Sequence, residues 1–170
     1  MRHALNSAGI IRFPQFHYDM VRLGIGLYGV RTLPEEIEGR LETVSTLRSV
    51  VISVRNLKKG EAIGYGRRDV LQKDSIIATI PIGYADGMNR KFGCGAVKVR
   101  LNGKWVPTIG SICMDACMLD VTGVECRVGD EVEIFGKNAD IQRLADVLET
   151  IPYEILTSVS PRVKRVYFRE

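Results

Sequence analysis

A tyrosine that follows directly after a glycine is the residue of this 170-residue sequence best placed for chemistry. Tyr84 lies within residues 80–87, IPIGYADG. Residues 75–80, SIIATI, are apolar and β-branched, which predicts a buried strand, and Asp86-Gly87 predicts a turn after it. The phenol would then lie at the mouth of a strand, where catalytic groups are common. The segment alone also fits a half-buried rim tyrosine whose hydroxyl binds the backbone, so both interpretations stay open at this point.

The elements that would position Tyr84 are mostly strands. Asn102-Gly103 predicts a type I′ hairpin turn, because both residues tolerate positive φ. Strand-like runs recur from about residue 41 onward, and this spacing predicts an antiparallel β-barrel or sandwich. The predicted strands are 43–54, 61–65, 75–82, 96–101, 105–121 with breaks, and 131–135.

The two ends of the chain have a different character. Near the C-terminus, Asp140 can cap a helix whose apolar stripe is Ile141, Leu144, Ala145 and Leu148. A second helix, 153–160, is predicted to open at Pro152, and a final strand is predicted over 162–168. Near the N-terminus, the glycine-spaced run 20–29 predicts a strand, and a polar connector follows over 32–36.

Composition narrows the class of protein. The chain is 45% hydrophobic, and its 24 Lys and Arg are interleaved with 20 Asp and Glu, which favours a folded domain over a nucleic-acid surface. No apolar run reaches the ~20 residues of a membrane helix, and the N-terminus lacks the apolar core of a signal peptide. We therefore expect a cytoplasmic protein with no membrane or nucleic-acid partner.

The four cysteines do not form a recognisable framework. Cys113 and Cys117 are four residues apart, and Cys94 and Cys126 are irregularly placed, so neither disulfides nor a metal site is predicted. If 112–121 is a strand, Cys113 and Cys117 share one face as small buried groups.

Five ordered motifs resemble the pyridoxal-phosphate-dependent alanine racemases, and together they span essentially the whole chain. They are HALNSA at 3–8, MVRLGI at 20–25, PIGYADG at 81–87, GSICMD at 110–115 and PYE at 152–154. Members of this family have an N-terminal β/α (TIM) barrel followed by a mostly β domain. The resemblance implies that residues 1–34 are the last part of the barrel with its connector and that residues 35–170 are the C-terminal β domain.

The resemblance also implies a shared chemistry. The family interconverts L- and D-alanine with two bases on opposite faces of the substrate, and Tyr84 matches one of them. The other is the lysine that carries the cofactor, which has no counterpart here. Lys91 and Lys104 are expected to be solvated surface groups. The chain by itself is therefore expected to be inactive.

The remaining assignments follow the family position by position. Arg22 matches the arginine that donates to the cofactor's pyridine nitrogen, and Met114 and Asp115 match substrate-contacting positions. Ser111 departs from the arginine that many relatives carry near the substrate entrance. Ser7, Gly24, Ile25 and Tyr153 match the residues that hold the cofactor phosphate.

The family further implies partners and a role. Its members form head-to-tail homodimers in which the C-terminal domain of one subunit completes the site of the other, and they supply D-alanine for peptidoglycan. Two alternatives remain: a racemase of serine or lysine on the same fold, since pocket details set substrate choice, and a non-catalytic β-barrel binding module.

Overall fold

The computed structural model describes residues 1–31, 33 and 41–168, which form two compact units divided between Thr46 and Leu47. Each unit is described by itself. The predicted domain boundary between residues 34 and 35, and most of the predicted connector 32–36, lie outside the described residues. The boundary therefore stays a prediction.

The first unit is built around a short parallel strand pair. Strand β1 (His3–Ala4) pairs with β2 (Met20–Val21), and helix α1 (Ser7–Arg12) lies between them in the chain. Parallel strands need a crossover of this kind, as in a β/α barrel. Asn6 caps α1, because its side chain accepts from the N–H of Gly9 at 3.0 Å.

The prediction of one strand over 20–29 is wrong beyond Val21. Residues Ile25–Tyr28 form a 3₁₀ turn instead, which ends at Gly29 with φ +68°. A Cβ at Gly29 would meet the backbone of Glu42. The glycines that suggested close backbone approach in a strand provide it in a turn.

The second unit is an antiparallel sheet of seven strands that curls on itself. Neighbouring strands follow the order β3-β11-β8-β9-β10-β7-β4. The seven are β3 (Leu47–Val50), β4 (Ser53–Leu57), β7 (Ser75–Ile80), β8 (Lys98–Leu101), β9 (Lys104–Ile109), β10 (Cys117–Asp120) and β11 (Glu131–Phe135). A separate small hairpin pairs β5 (Ala62–Ile63) with β6 (Asp69–Val70).

The two end strands of this sheet are consecutive in the chain. Between them, the N–H of Val51 donates to Asp130 O and the N–H of Ile52 donates to Thr79 O, both at 2.9 Å. Of the predicted strand 43–54, residues 43–46 lie outside any strand, and the rest covers β3 and the start of β4, which form one bent strand whose halves are the two ends of the sheet. The mainly β prediction is confirmed, and of its two forms the curled, barrel-like one is observed.

The predicted hairpin turn and one predicted strand are observed, and another predicted strand is divided in two. Asn102 and Gly103 have φ of +48° and +74° and join β8 to β9. Strand 131–135 has the predicted bounds. The predicted strand 105–121 is two strands, β9 and β10, separated by a loop, so Cys113 lies in that loop while Cys117 is fully buried in β10. All four cysteines are free.

Two helices follow the barrel, α2 (Gln142–Leu148) and α3 (Pro152–Ser158). The Asp140 side chain accepts from the N–H of Gln142 at 2.9 Å, but the N-cap residue of α2 is Ile141, so the predicted capping position is one residue too early. Of the predicted stripe, Ile141, Leu144 and Ala145 are buried and Leu148 is partly buried.

The final predicted strand, 162–168, is wrong. These residues form a turn followed by chain without regular secondary structure. Two arginines of this segment bind other groups instead. Arg162 binds two carboxylates, and Arg165 binds three backbone carbonyls of residues 159–163.

Candidate active site

The turn that carries Tyr84 and the loop that carries Met114 are bonded to each other. Residues Tyr84–Asp86 form a 3₁₀ turn after β7. The N–H of Tyr84 donates to Cys113 O at 2.9 Å, and the N–H of Ala85 donates to Met114 O at 3.0 Å. Tyr84 and Met114 have exposed fractions of 42% and 54%, so both side chains reach solvent from this junction.

Gly83 is what allows the two segments to lie this close. A Cβ there would lie 2.3 Å from the carbonyl oxygens of both Cys113 and Met114. Its φ of −139° is open to any residue, so space alone requires glycine at this position. The glycine before Tyr84 therefore sets the distance between the predicted base and the predicted substrate-contacting residue.

Charge also joins the two segments. The guanidinium of Arg162 donates from Nε to Asp86 Oδ1 at 2.6 Å and from Nη2 to Asp115 Oδ1 at 2.5 Å. Asp86 Oδ2 accepts in turn from the N–H of Gly83 at 2.8 Å. Burial acts to raise the pKa of Asp86, but these hydrogen bonds outweigh it and hold that pKa below its usual value. Asp86 is therefore ionised at neutral pH.

A second tyrosine of this unit was not singled out in the sequence. Tyr65 lies between Gly64 and Gly66, whose φ values are +70° and +74°, and Arg67 after them has φ +49°. Its side chain is 79% exposed. Positive φ costs the two glycines nothing, but Arg67 is a non-glycine residue in the left-handed region, a costly conformation that clusters at functional sites. The same signal that drew attention to Tyr84, a tyrosine beside glycine, would have found Tyr65.

Tyr65 borders an open groove of about 600 Å³ on the face of the sheet. Cys113, the residue before Met114, borders it as well, and the Ser111 hydroxyl donates to Tyr65 O at 3.3 Å. The groove thus reaches the Met114 loop. Its other lining residues are mostly apolar: Ser53, Arg55, Leu57, Ala62, Ile63, Gly64, Ile77, Thr79 and Met118.

The first unit brings together three of the four residues predicted to hold a phosphate. The Ser7 hydroxyl oxygen accepts from the N–H of Gly24 at 2.9 Å and from the N–H of Gly26 at 3.2 Å. Ile25, between these glycines, is buried and begins the 3₁₀ turn. Because both lone pairs of the hydroxyl are used, Ser7 has its own proton left to donate, which suits an anionic acceptor.

The other two predicted cofactor residues lie apart from this cluster in sequence. Arg22 follows β2, its N–H donates to Leu5 O at 3.0 Å, and its side chain is exposed. Tyr153 belongs to the second unit, in α3, and is 43% exposed. The Ser7 hydroxyl and the Arg22 guanidinium present hydrogen-bond donors, the chemistry that a phosphate and an unprotonated ring nitrogen accept. The residues present therefore fit pyridoxal phosphate.

Comparison with known families decides the identity of this arrangement. The sequence model "Alanine racemase, C-terminal domain" matches residues 44–167, and "Alanine racemase, N-terminal domain" matches residues 1–32. The chain belongs to the alanine racemase family. The alanine racemase of Clostridium tetani is 41% identical over 177 aligned residues, which cover 100% of the chain and 46% of that protein.

Solved alanine racemases also share the fold. The enzyme from D-cycloserine-producing Streptomyces lavendulae superposes with a TM-score of 0.91 at 33% identity, covering 99% of this chain and 46% of that one. The Bartonella henselae alanine racemase with covalently bound pyridoxal phosphate gives 0.88 at 35% identity, covering 98% and 46%. The chain thus spans less than half the length of these racemases.

Two further features are not found among the described residues. Among the described residues, no group of three or more His, Cys, Asp and Glu side chains is arranged to hold a metal ion. No helix within the described part of the chain is long and apolar enough to cross a bilayer.

Proposed function

We propose that the intact protein carrying this sequence interconverts L- and D-alanine with pyridoxal phosphate. The observation that carries the proposal is the bonded junction of the Tyr84 turn and the Met114 loop in a chain of the alanine racemase family. This junction fixes the loop that the resemblance expects to contact the substrate carboxylate, and Cys113 of that loop borders the same groove as Tyr65. We further propose a cytoplasmic, head-to-tail homodimer that supplies D-alanine for peptidoglycan.

The chain's residues would serve the cofactor and the substrate in different ways. When bound, pyridoxal phosphate withdraws electrons from the α-carbon and makes its proton removable. The resemblance assigns its phosphate to the Ser7 and Tyr153 hydroxyls and to the amides of Gly24 and Ile25, and of these the Ser7 hydroxyl still has its own proton to donate. Arg22 would donate to its ring nitrogen and, because a guanidinium keeps its proton, would leave that nitrogen unprotonated. Met114 and Asp115 would contact the substrate.

A tyrosine of the second unit would move the α-proton. The resemblance assigns this role to Tyr84. The structure favours Tyr65, because its side chain is more exposed, it lies between two glycines with positive φ and it borders the groove that reaches Cys113. Since an ordinary phenol has a pKa near ~10, either tyrosine needs positive charge nearby to act as a base.

Two matched variants of the intact protein test this assignment. Removing a general base lowers kcat by about 10²- to 10⁴-fold. We expect that loss for racemisation of alanine in Tyr65→Phe and a smaller one in Tyr84→Phe. The larger loss in Tyr84→Phe would restore the assignment made from sequence, and small losses in both would show that neither phenol is the base.

Substrate choice and cofactor dependence are tested in the same preparation. We expect alanine to be racemised faster than serine or lysine, and activity to require added pyridoxal phosphate after dialysis against hydroxylamine. A higher rate on serine or lysine would replace alanine as the substrate. The 170-residue chain by itself is expected to show no rate above that of free pyridoxal phosphate, because no lysine in it matches the family's cofactor lysine.

A further inference from the structure

One arginine near the end of the chain contacts both segments of the candidate site. Arg162 is 76 residues from Asp86 and 47 from Asp115, yet its guanidinium bonds to both carboxylates. Asp86 is the last residue of the turn that begins with Tyr84, and Asp115 directly follows Met114. A single side chain therefore joins the two segments from outside either of them.

Asp86 also forms hydrogen bonds with two backbone N–H groups, one from its own turn and one from the segment that carries Arg162. Asp86 uses its second carboxylate oxygen to accept from Gly83 at 2.8 Å, and its carbonyl accepts from the N–H of Ser160 at 3.2 Å. Ser160 lies two residues before Arg162. The turn is thus held to the tail at two points, one through the main chain and one through Arg162.

We propose that Arg162 is a positioning residue that fixes the Tyr84 turn against the Met114 loop. Arginine suits this role because its planar fork offers donors in two directions at once, whereas a lysine offers a single point charge. Its effect on catalysis rests on the proposed racemase function. Its effect on the geometry does not.

The depth of Asp86 distinguishes this contact from an ordinary surface ion pair. Exposed pairs contribute little, because water screens the charges. The side chain of Asp86 is only 12% exposed, while that of Asp115 is 63% exposed and that of Arg162 is 48%. The Arg162–Asp86 ion pair is accordingly the stronger one, and the Arg162–Asp115 ion pair mainly orients the Met114 loop.

Amide hydrogen exchange on the 170-residue chain tests the geometry without any need for activity. In Arg162→Gln we expect the amides of Tyr84 and Ala85, which bridge the two segments, to exchange about tenfold faster or more, because local opening becomes easier. Arg165→Gln is the matched control. It removes the same charge from the same segment, but among the described residues Arg165 donates only to backbone carbonyls, so exchange at these amides should stay within about twofold.

A conservative variant guards against simple misfolding. Arg162→Lys keeps the charge and can reach one carboxylate at a time, so its exchange rates should fall between those of the wild type and Arg162→Gln. Unchanged exchange in Arg162→Gln, equal acceleration in Arg165→Gln, or wild-type rates in Arg162→Lys would each overturn the proposal.

Steady-state kinetics on the intact protein test the catalytic consequence. Because a displacement of about 1 Å can cost up to 10²-fold, we expect Arg162→Gln to lower kcat/KM for alanine by about 10- to 100-fold, with kcat and KM both affected. Arg165→Gln, the same control as for amide exchange, should keep kcat/KM within about twofold.

Failure of the two proposals can be told apart. If the wild-type intact protein does not racemise alanine, the proposed function fails, and amide exchange still decides whether Arg162 ties the segments. If the wild type is active while Arg162→Gln keeps full kcat/KM, the positioning role fails and the function stands.

Discussion

Replacing Gly83 by alanine should open the junction between the Tyr84 turn and the Met114 loop. The added Cβ would lie 2.3 Å from the carbonyl oxygens of Cys113 and Met114, where ordinary contact begins near 3.4 Å. One segment must therefore retreat by about 1 Å. Both neighbours are backbone atoms, so no side-chain rotation can relieve the clash.

The cost can be worked out from what the retreat breaks. Two hydrogen bonds, from Tyr84 to Cys113 and from Ala85 to Met114, are each worth about 1 kcal/mol. Overpacking at a tight site adds about 1–3 kcal/mol. We therefore expect Gly83→Ala to lower the free energy of unfolding by about 3–5 kcal/mol.

Gly103→Ala is the informative control, because it presents the opposite problem. Gly103 has φ +74°, which disfavours a side chain, but a Cβ there would meet nothing within 4 Å. Its cost is the backbone penalty alone, about 1–2 kcal/mol. Gly83 has an ordinary φ and no space, and Gly103 has space and an unfavourable φ.

Urea denaturation followed by tryptophan fluorescence measures the difference. Trp105 is the only tryptophan of the sequence and lies in β9, so its signal reports the unfolding of the second unit. With a slope of about 2 kcal/mol per M, the midpoint should fall by about 1.5–2.5 M in Gly83→Ala and by about 0.5–1 M in Gly103→Ala. An equal or smaller shift in Gly83→Ala would refute the steric argument.

Three further outcomes are expected. The thiol of Cys117 is fully buried and its pKa is raised to about 12, so iodoacetamide at pH 8 should label exposed Cys94 in the native chain and leave Cys117 unmodified, as read by mass spectrometry. The folded-state pKa of Asp86 is lowered, so its contribution to stability is present above pH ~4 and is lost as the pH falls through the folded-state pKa. Below pH ~4, the urea midpoint of Asp86→Asn should therefore fall less steeply with pH than that of the wild type. Ser7→Ala should remove the acceptor of the Gly24 N–H, cost about 1–3 kcal/mol in the first unit and speed exchange of that amide, whereas Ser7→Thr should preserve it.

Local chemistry made parts of the fold predictable. Asn102-Gly103 was found as a turn where predicted, and Asp140 bonds to the first turn of α2 one residue before its N-cap; both features depend on residues that are close in sequence. The fold class followed from strand spacing, although spacing could not separate a barrel from a sandwich. That choice depends on the bend at Val51 and Ile52, which is set by hydrogen bonds to residues 130 and 79.

Long-range contacts account for what the sequence did not reveal. The partners of Arg162 are 76 and 47 residues away in sequence, so local patterns did not reveal them and Arg162 was predicted to belong to a strand. Tyr65 was passed over for a different reason. Its glycine neighbours carried the same pattern as Tyr84, but the left-handed backbone of nearby Arg67 and the place of Tyr65 beside the groove are visible only in three dimensions.

The bent strand that unites the two ends of the sheet imposes an order on biosynthesis. Val50 at the end of β3 pairs with Glu131, and neighbouring Arg48 forms a hydrogen bond with Glu131 across 83 positions of sequence. At about 5–20 residues per second, a ribosome needs some 4–17 s to supply that partner after β3 is made. Until then β3 is an unpaired edge on a nascent chain, a state prone to wrong pairing. Chaperone demand during translation should therefore peak before residue 135 emerges and fall once it does.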